Sequence, residues 1–313
     1  MNWLENLKGK VKKRLLLKQH TTFNIGGPAR FYIEPKDSDD LKLLLISAKR
    51  DNIPIWVIGA GSNILVNDKG LNGVVVRLNS AAFKKISFRC GLLEVDAGVS
   101  LSRLIEFTKK TNLSGAEFLV GIPGTVGGAI IMNAGICERK NGNILLIRGI
   151  WDLVSAVKVM DYDGKIKTLE KKDVKFGYRY SNLSKYIVLG ASLKLKRDKK
   201  RNIKNRIKHY VLCRRLKQDY THPSAGCVFK NPDGHSAARL IDSCGFKGKR
   251  INGAAVSEKH ANFILNLGQA KATDVLLLMR LIQRKIKQKF NITLEPEIKI
   301  WQKKTGTRKK SQF

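Results

Sequence analysis

Two glycine-rich segments constrain this chain most, because each interrupts apolar sequence with backbone that few other residues could replace. The first, residues 59–63 (GAGSN), directly follows the apolar run 55–58. The second, residues 121–128 (GIPGTVGG), belongs to a stretch from 115 to 135 in which glycine recurs at short intervals. Glycine lets the backbone adopt positive φ and approach a ligand closely, and loop N–H groups can bind phosphate oxygens. Two such loops can bracket a pyrophosphate.

The common nucleotide-binding motifs do not fit these segments. Ile64 stands where the dinucleotide fingerprint G-x-G-x-x-G requires its third glycine, and no G-x-x-x-x-G-K-[ST] occurs in the chain. The sequence therefore disfavours a standard Rossmann site and excludes a P-loop. On local grounds alone, each segment is also compatible with an ordinary glycine-rich turn between packed elements.

Strand and helix patterns alternate along the chain, which predicts an α/β or an α+β protein. Residues 161–164 (DYDG) predict a turn between two strands, and residues 294–300 predict a final strand. We predict a division into a basic leader, a two-lobed first domain, a C-terminal domain and a basic tail. The predicted boundaries are 1–19, 20–195 (lobes at about 20–70 and 71–195), 196–302 and 303–313.

The chain is strongly basic, with 60 Lys and Arg residues, 25 Asp and Glu residues and a formal net charge of +35. Residues 194–217 alone hold twelve basic residues and one acidic residue, and predict a helix at the domain boundary. Nucleic-acid-binding modules usually interleave basic residues with aromatic platforms, and this stretch does not. We expect a solvated basic surface and no specific nucleic-acid partner, although a positive cleft would steer an anionic substrate.

Targeting and redox signals are weak. No apolar run approaches the ~18 residues that a membrane span needs, and the N-terminus lacks the apolar core of a signal peptide. The five cysteines are scattered without a C-x-x-C pair, and the five histidines show no metal-ligand spacing. We therefore expect a cytoplasmic enzyme without a membrane span or a metal.

Three segments carry side chains suited to chemistry. Arg179 lies among aromatic residues, where its guanidinium could bind a carboxylate, or could merely stack on a ring. Cys227 follows a glycine in a polar segment, and Glu295 and Glu297 alternate near the predicted final strand. Locally, a core cysteine and a solvated edge strand explain these residues equally well.

The order of the motifs is more specific than any one of them. Across residues 14–301, the chain resembles the UDP-N-acetylenolpyruvoylglucosamine reductase (UDP-N-acetylmuramate dehydrogenase) family, in its shorter subclass. The resemblance rests on six ordered motifs: HTTFNIGGPA (20–29), GAGSNIL (59–65), GIPGTVGGAI with NAG (121–135), YRYS (178–181), SAGCVFKNP (224–232) and LEPEI (294–298).

This resemblance implies a flavoprotein of peptidoglycan precursor synthesis. The first domain would be an FAD-binding unit of the vanillyl-alcohol-oxidase type, and the C-terminal domain would bind substrate. NADPH would reduce non-covalently bound FAD, and hydride would then pass to the enolpyruvyl group of the UDP sugar. We expect a monomer. A different FAD-dependent oxidoreductase of this fold, acting on a sugar or an alcohol, is the alternative.

The resemblance also implies roles for individual residues. Arg179 and Glu297 would stabilise negative charge on the substrate, with a raised pKa for Glu297, and Cys227 would donate a proton from the position where the family commonly has serine. Tyr178, Lys230 and Asn231 match substrate-contacting positions. The segment 136–149 is longer than the corresponding segment of the family pattern, which predicts an inserted loop. The expected cofactor-binding residues are Gly59, Ala60, Gly61, Ser62, Asn63, Gly121, Pro123, Gly124, Thr125, Gly127, Gly128, Asn133 and Gly135.

Overall fold

A computed structural model describes residues 2–140 and 143–302. The predicted basic tail, 303–313, lies outside the described residues. Within the described part of the chain, no helix is both long enough and apolar enough to cross a membrane.

Six α-helices and a larger number of short strands make up the described residues. The helices are α1 (Ser38–Arg50), α2 (Leu101–Lys110), α3 (Val126–Met132), α4 (Lys200–Lys217), α5 (Ala237–Asp242) and α6 (Ala272–Phe290). The strands are β1 (Lys10–Leu16), β2 (Pro28–Glu34), β3 (Ile55–Val57), β4 (Ile64–Val66), β5 (Leu71–Val76), β6 (Ile86–Arg89), β7 (Leu92–Asp96), β8 (Leu113–Ser114), β9 (Gly135–Lys140), β10 (Asn143–Gly149), β11 (Val154–Asp161), β12 (Ile166–Glu170), β13 (Phe176–Gly177), β14 (Tyr180–Ser181), β15 (Tyr186–Lys194), β16 (Lys196–Arg197), β17 (Ser224–Cys227), β18 (Arg250–Ile251), β19 (Ala254–Val256), β20 (Phe263–Asn266) and β21 (Lys299–Trp301).

The first sheet has the strand order β1-β2-β5-β3. Strands β2, β5 and β3 run parallel, while β1 pairs antiparallel with β2. Within residues 1–19, which we predicted to be a basic leader, β1 forms an edge strand of this sheet. Basic side chains on β1 point to solvent, and lysine is well tolerated at the edge of a sheet.

The second sheet is antiparallel, with the order β12-β11-β15-β7-β6. The predicted turn at 161–164 joins β11 to β12, as expected. One continuous hydrophobic core connects this sheet with the first sheet and with α1, α2 and α3. Trp151 is fully buried in that core. The two lobes are thus packed on each other, and the loops at their junction are held by both.

The C-terminal unit consists of the antiparallel sheet β17-β20-β19-β18 together with α5 and α6. Phe23, Ile25 and Leu65, from the other end of the chain, are buried in its hydrophobic core. Asn266 Nδ2 also donates to the Phe23 carbonyl at 3.0 Å, and Thr22 Oγ1 donates to the Ser224 carbonyl at 2.8 Å. The motif at residues 20–29 thus fastens the C-terminal unit to the first sheet.

The final strand is shorter than predicted. Only Lys299–Trp301 forms β21, which pairs in parallel with β4, while Pro296 makes an isolated antiparallel bridge with Phe229. Proline lacks the N–H that a continuous ladder needs, which explains the interruption. The chain therefore leaves the C-terminal unit at residues 294–298, and β21 lies beside the first glycine loop.

Candidate active site

The first glycine loop, residues 59–63, connects β3 to β4. Gly61 has a φ of +69°, and a Cβ atom there would lie 2.0 Å from the carbonyl oxygen of His20. Only glycine satisfies both conditions. Among residues 2–140 and 143–302, no group accepts a hydrogen bond from the backbone N–H groups of residues 59–63. The loop therefore presents a row of unpaired amide donors.

The second glycine loop, residues 121–128, leads into α3. Thr125 caps the helix, its Oγ1 accepting from the Gly128 N–H at 3.4 Å, while the Gly124 carbonyl accepts from Leu101 N–H at 2.9 Å. A Cβ atom on Gly59 would lie 2.6 Å from Thr125 Oγ1. The two loops are therefore in direct contact, although residues 64–120 separate them in sequence.

Asn133 and Gly135 follow α3 and connect the second loop to a short hairpin. Asn133 ends the helix with a left-handed φ of 44°, and its Nδ2 donates to the Gly177 carbonyl at 2.8 Å. A Cβ atom on Gly135 would lie 1.8 Å from the Arg148 carbonyl oxygen. Asn133 fixes the backbone at Gly177, and Gly135 allows the backbone at Arg148 to pack closely. Both residues therefore support the structure around the predicted cofactor site.

The hairpin of β13 and β14 presents Arg179 at its turn. Phe176 pairs with Ser181 and Gly177 with Tyr180, so Tyr178 and Arg179 are the two turn residues. Arg179 has a φ of +55°, a conformation that is uncommon for residues other than glycine and that concentrates at functional sites. Ser181 Oγ donates to the Ile131 carbonyl at 2.9 Å, which fixes the hairpin on α3.

Arg179, Cys227 and Glu297 come together from three distant segments. Arg179 Nε donates to Glu297 Oε1 at 2.7 Å, and the two side chains are only 19 % and 13 % exposed. The Glu297 N–H donates to the Val228 carbonyl at 2.8 Å, which sets Glu297 beside Cys227 at the end of β17. Asn63 Nδ2 donates to the Glu297 carbonyl at 3.2 Å, so the first glycine loop borders the same cluster.

Burial dominates the electrostatics of this cluster. Burial raises the pKa of Cys227 from 9.0 to about 12, and the nearby Glu297 charge acts in the same direction. Burial also raises the pKa of Glu297, against the opposing effect of Arg179. The thiol is therefore protonated at neutral pH, and Arg179 supplies a fixed positive charge next to it.

Comparison with known proteins gives a consistent result along the whole chain. Residues 218–301 match the family model for the C-terminal domain of UDP-N-acetylenolpyruvoylglucosamine reductase, and residues 29–170 match an FAD-binding domain. The enzyme of that name from Clostridium botulinum (strain 657 / Type Ba4) is 41 % identical over 286 residues, covering 91 % of this chain and 90 % of the relative. The Clostridium tetani enzyme is 38 % identical over 302 residues, covering 96 % and 95 %. The chain belongs to the UDP-N-acetylenolpyruvoylglucosamine reductase family.

The fold agrees with this family assignment. The crystal structure of the Thermus caldophilus UDP-N-acetylenolpyruvylglucosamine reductase matches with a TM-score of 0.77 at 36 % identity, covering 95 % of this chain and all of that one. The expected α+β architecture with an FAD-binding unit is thereby confirmed. In the segment 136–149, where we predicted an inserted loop, the described residues belong to β9 and β10, which pair antiparallel.

The two glycine loops fit the pyrophosphate of FAD. Residues 59–63 offer unpaired amide donors, and the absence of side chains at Gly59 and Gly61 lets the loop pack closely against Thr125 and the His20 carbonyl. An array of N–H groups without side chains is a suitable donor set for phosphate oxygens. We therefore propose that residues 59–63 and 121–128 hold this part of the cofactor.

Three residues that we predicted to contact substrate lie around the cluster. The Tyr178 ring stacks under Arg179, with the guanidinium carbon 5.0 Å from the ring centroid, and burial raises the pKa of Tyr178 to about 12. Asn231 Nδ2 donates to Tyr178 Oη at 3.4 Å. Lys230 pairs with the exposed Glu295 at 3.2 Å. Glu295 and Glu297 therefore differ in environment despite their alternation in sequence.

Sequence reasoning missed Arg214, which comes from α4 in the basic stretch. Its Nη2 donates to the Phe118 carbonyl at 3.2 Å, but its buried Nε has no hydrogen-bond partner among the described residues. Burial lowers the pKa of Arg214, and its charge acts on Cys227 and Arg179. A Cβ atom on Gly121 would lie 2.9 Å from Arg214 Cδ, which places this cation against the second glycine loop. Nothing in the sequence distinguished it from its many basic neighbours.

Proposed function

We propose that this enzyme uses FAD to catalyse the NADPH-dependent reduction of UDP-N-acetylglucosamine enolpyruvate to UDP-N-acetylmuramate in peptidoglycan precursor synthesis. One observation carries the assignment of residues. A buried cluster of an arginine, a thiol and a carboxyl group lies against two contacting glycine loops in a member of this family. When bound, FAD accepts hydride from NADPH and delivers it to C3 of the enolpyruvyl group.

Arg179 and Glu297 act on the carboxylate end of the enolpyruvyl group. Hydride addition at C3 leaves negative charge at C2 that is delocalised onto the carboxylate as an enolate. A preorganised guanidinium in a site with little water lowers the energy of that charge. Glu297 fixes the orientation of Arg179 through the 2.7 Å contact. When protonated, Glu297 can also donate to an enolate oxygen, which its raised pKa favours.

Cys227 supplies the proton that C2 requires. The S–H bond breaks, the proton forms the new C–H bond at C2, and the electron pair stays on sulfur as a thiolate. The charges of Arg179 and Arg214 both act to lower the pKa of Cys227 and so stabilise that thiolate. Solvent then reprotonates the sulfur, which is favoured at neutral pH because burial raises its pKa. Tyr178, Lys230 and Asn231 contact and orient the substrate in this proposal.

An anaerobic visible spectrum tests this function. We expect the flavin absorbance to bleach on addition of NADPH and to return on addition of the UDP-enolpyruvyl sugar. Bleaching without return would refute the substrate and the roles of Cys227 and Glu297, and would favour an oxidoreductase acting on another sugar or alcohol. The same titration with UDP-N-acetylglucosamine, which lacks the enolpyruvyl group, is the matched control and should restore no absorbance.

We further propose that the enzyme acts in the cytoplasm, where NADPH and UDP sugars are supplied, and that it acts as a monomer. The described part of each chain supplies all the residues of the proposed cluster, which supports a monomeric active unit. Sedimentation velocity with bound FAD, at several protein concentrations, tests the monomer. A stable dimer would refute it.

A further inference from the structure

Two leucines on α4 face solvent. Leu212 is 57 % exposed and Leu216, one helical turn later, is 67 % exposed. Tyr220, just beyond the end of the helix, is 58 % exposed. Among residues 3–137 and 147–302, these are the three most exposed large apolar side chains. Their spacing places the leucines on one side of the helix, where no part of the described chain covers them.

Basic residues flank this pair. Arg201, Lys208 and Arg215 are exposed and recur every seven residues, so they follow one side of the helix next to the leucines. Within the described residues, the ion pairs of α4 all come from Arg206, which binds Glu117 and Asp198. The other cations on the outer face are therefore not neutralised by the protein.

The opposite side of α4 is anchored to the protein. Ile203 is fully buried, and Ile207 and Tyr210 pack against the main core. Arg214 also points inward, towards the second glycine loop. This anchoring keeps Leu212 and Leu216 on the outside, so their exposure follows from the fold. We call the outer face of residues 201–216, with Leu212 and Leu216 at its centre, the α4 outer face.

We propose that the α4 outer face binds the surface of an anionic lipid bilayer. A basic helix that presents a few large apolar side chains among lysine and arginine is suited to the membrane interface. The cations attract the anionic headgroups, while the leucines enter the boundary with the acyl chains. A nucleic acid would use the same cations but has no apolar layer for the leucines, and the face lacks the aromatic platforms that bind single strands.

Co-sedimentation of the FAD-loaded protein with vesicles tests this proposal. We expect binding to phosphatidylcholine vesicles that contain about one-third phosphatidylglycerol, and little binding to phosphatidylcholine alone. The double substitution Leu212→Ser with Leu216→Ser should weaken binding about tenfold, since it removes apolar contact without changing charge. Lys208→Glu with Arg215→Glu should weaken it about 25-fold or more. Salt at about 0.5 M should also weaken binding.

The helix α6 offers a matched control. Arg284 and Lys285 are exposed on α6, and Arg284→Glu with Lys285→Glu changes the net charge by the same amount as the α4 reversal. We expect this α6 variant to lose less than about threefold in vesicle binding. Equal losses for the two reversals would show that net charge alone drives binding, and would overturn the proposal.

Two further outcomes would contradict the proposal. One is unchanged vesicle binding by the leucine variant. The other is a DNA duplex that binds the α4 outer face more tightly than the vesicles do and displaces the protein from them, which would indicate a nucleic-acid surface. Retained FAD and unchanged NADPH oxidation in every variant exclude misfolding, because none of the substituted residues belongs to the proposed catalytic cluster.

Discussion

The two halves of the proposed active site are built in opposite ways. The cofactor side consists mainly of backbone: two glycine loops touch at Gly59 and Thr125, and the first of them presents unpaired amide donors. The substrate side consists of buried side chains, with Arg179, Cys227 and Glu297 contributed by three separate segments. The cofactor side requires that side chains be absent where the loops pack closely. The substrate side requires that the fold keep its charged side chains buried. Substitutions should therefore damage the two halves by different routes.

Cys227→Ala should have the largest effect, because it removes the only group proposed to protonate C2. We expect flavin reoxidation by the UDP-enolpyruvyl sugar to slow by about 10²–10⁴-fold in anaerobic stopped-flow measurements. Flavin reduction by NADPH should be unchanged. Cys227→Ser should retain activity, because its hydroxyl keeps a transferable proton at the same position. Reoxidation at the wild-type rate in Cys227→Ala would exclude the thiol as proton donor.

Arg179→Ala should rank second. It removes positive charge from the developing enolate, and loss of one such donor typically costs about 10²–10³-fold in rate. It also leaves Glu297 buried without its 2.7 Å partner, which should raise the pKa of Glu297 further. The same stopped-flow reoxidation experiment measures the rate. Arg30→Ala, at an exposed arginine that also stacks on an aromatic ring, is the control and should leave the rate unchanged.

Gly61→Ala tests the backbone half. Its Cβ atom would meet the His20 carbonyl at 2.0 Å in a conformation with φ of +69°. We expect a loss of about 3 kcal/mol in the free energy of unfolding, with weakened FAD binding, measured by denaturant titration and by FAD fluorescence. Gly91→Ala is matched in φ at +78° but has open space around its Cβ. We expect Gly91→Ala to lose about 1 kcal/mol in the free energy of unfolding. Equal losses at both positions would argue against the clash with the His20 carbonyl.

The pH dependence of flavin reoxidation should show the smallest change. A thiol with a pKa of 9.0 would lose its proton as the pH rises past that value, whereas burial holds the pKa of Cys227 at about 12. Because the protonated form is the active one, a raised pKa extends activity to higher pH. We expect the reoxidation rate to stay level from about pH 7 to about pH 10. A decline centred near pH 9 would mean that substrate binding or water access restores an ordinary thiol.

Local signals in the sequence predicted the cofactor half better than the substrate half. Glycine loops can be recognised in a sequence because glycine is required where φ is positive or where atoms approach closely, as at Gly61. The contact between Arg179 and Glu297 spans 118 residues, and no local pattern encodes it. The resemblance to a family suggested that both residues act on the substrate, but it did not predict their contact. Arg214 was missed because its inward direction depends on how α4 packs, which a run of basic residues does not reveal.

The same dependence on tertiary packing explains where the fold differs from what the sequence predicted. The lysines of β1 hid its strand pattern in the sequence. They are tolerated because β1 is an edge strand, and this is recognised only from its pairing with β2. The interruption at Pro296 was foreseeable from the missing N–H. However, its consequence, that Glu297 turns inward while Glu295 is exposed, depends on the bridge to Phe229.

The burial of Phe23 and Ile25 in the C-terminal core has a consequence for biosynthesis. A ribosome makes these residues long before it makes α6, which contributes to the same core. Until α6 emerges, the early segment cannot complete its hydrophobic contacts, and the nascent chain carries exposed apolar surface that chaperones recognise. The first glycine loop, which Asn63 connects to residue 297, is likewise completed only after residue 297 has been made. Cofactor loading should therefore follow synthesis of the C-terminal unit, and a chain truncated before that unit should carry no bound flavin.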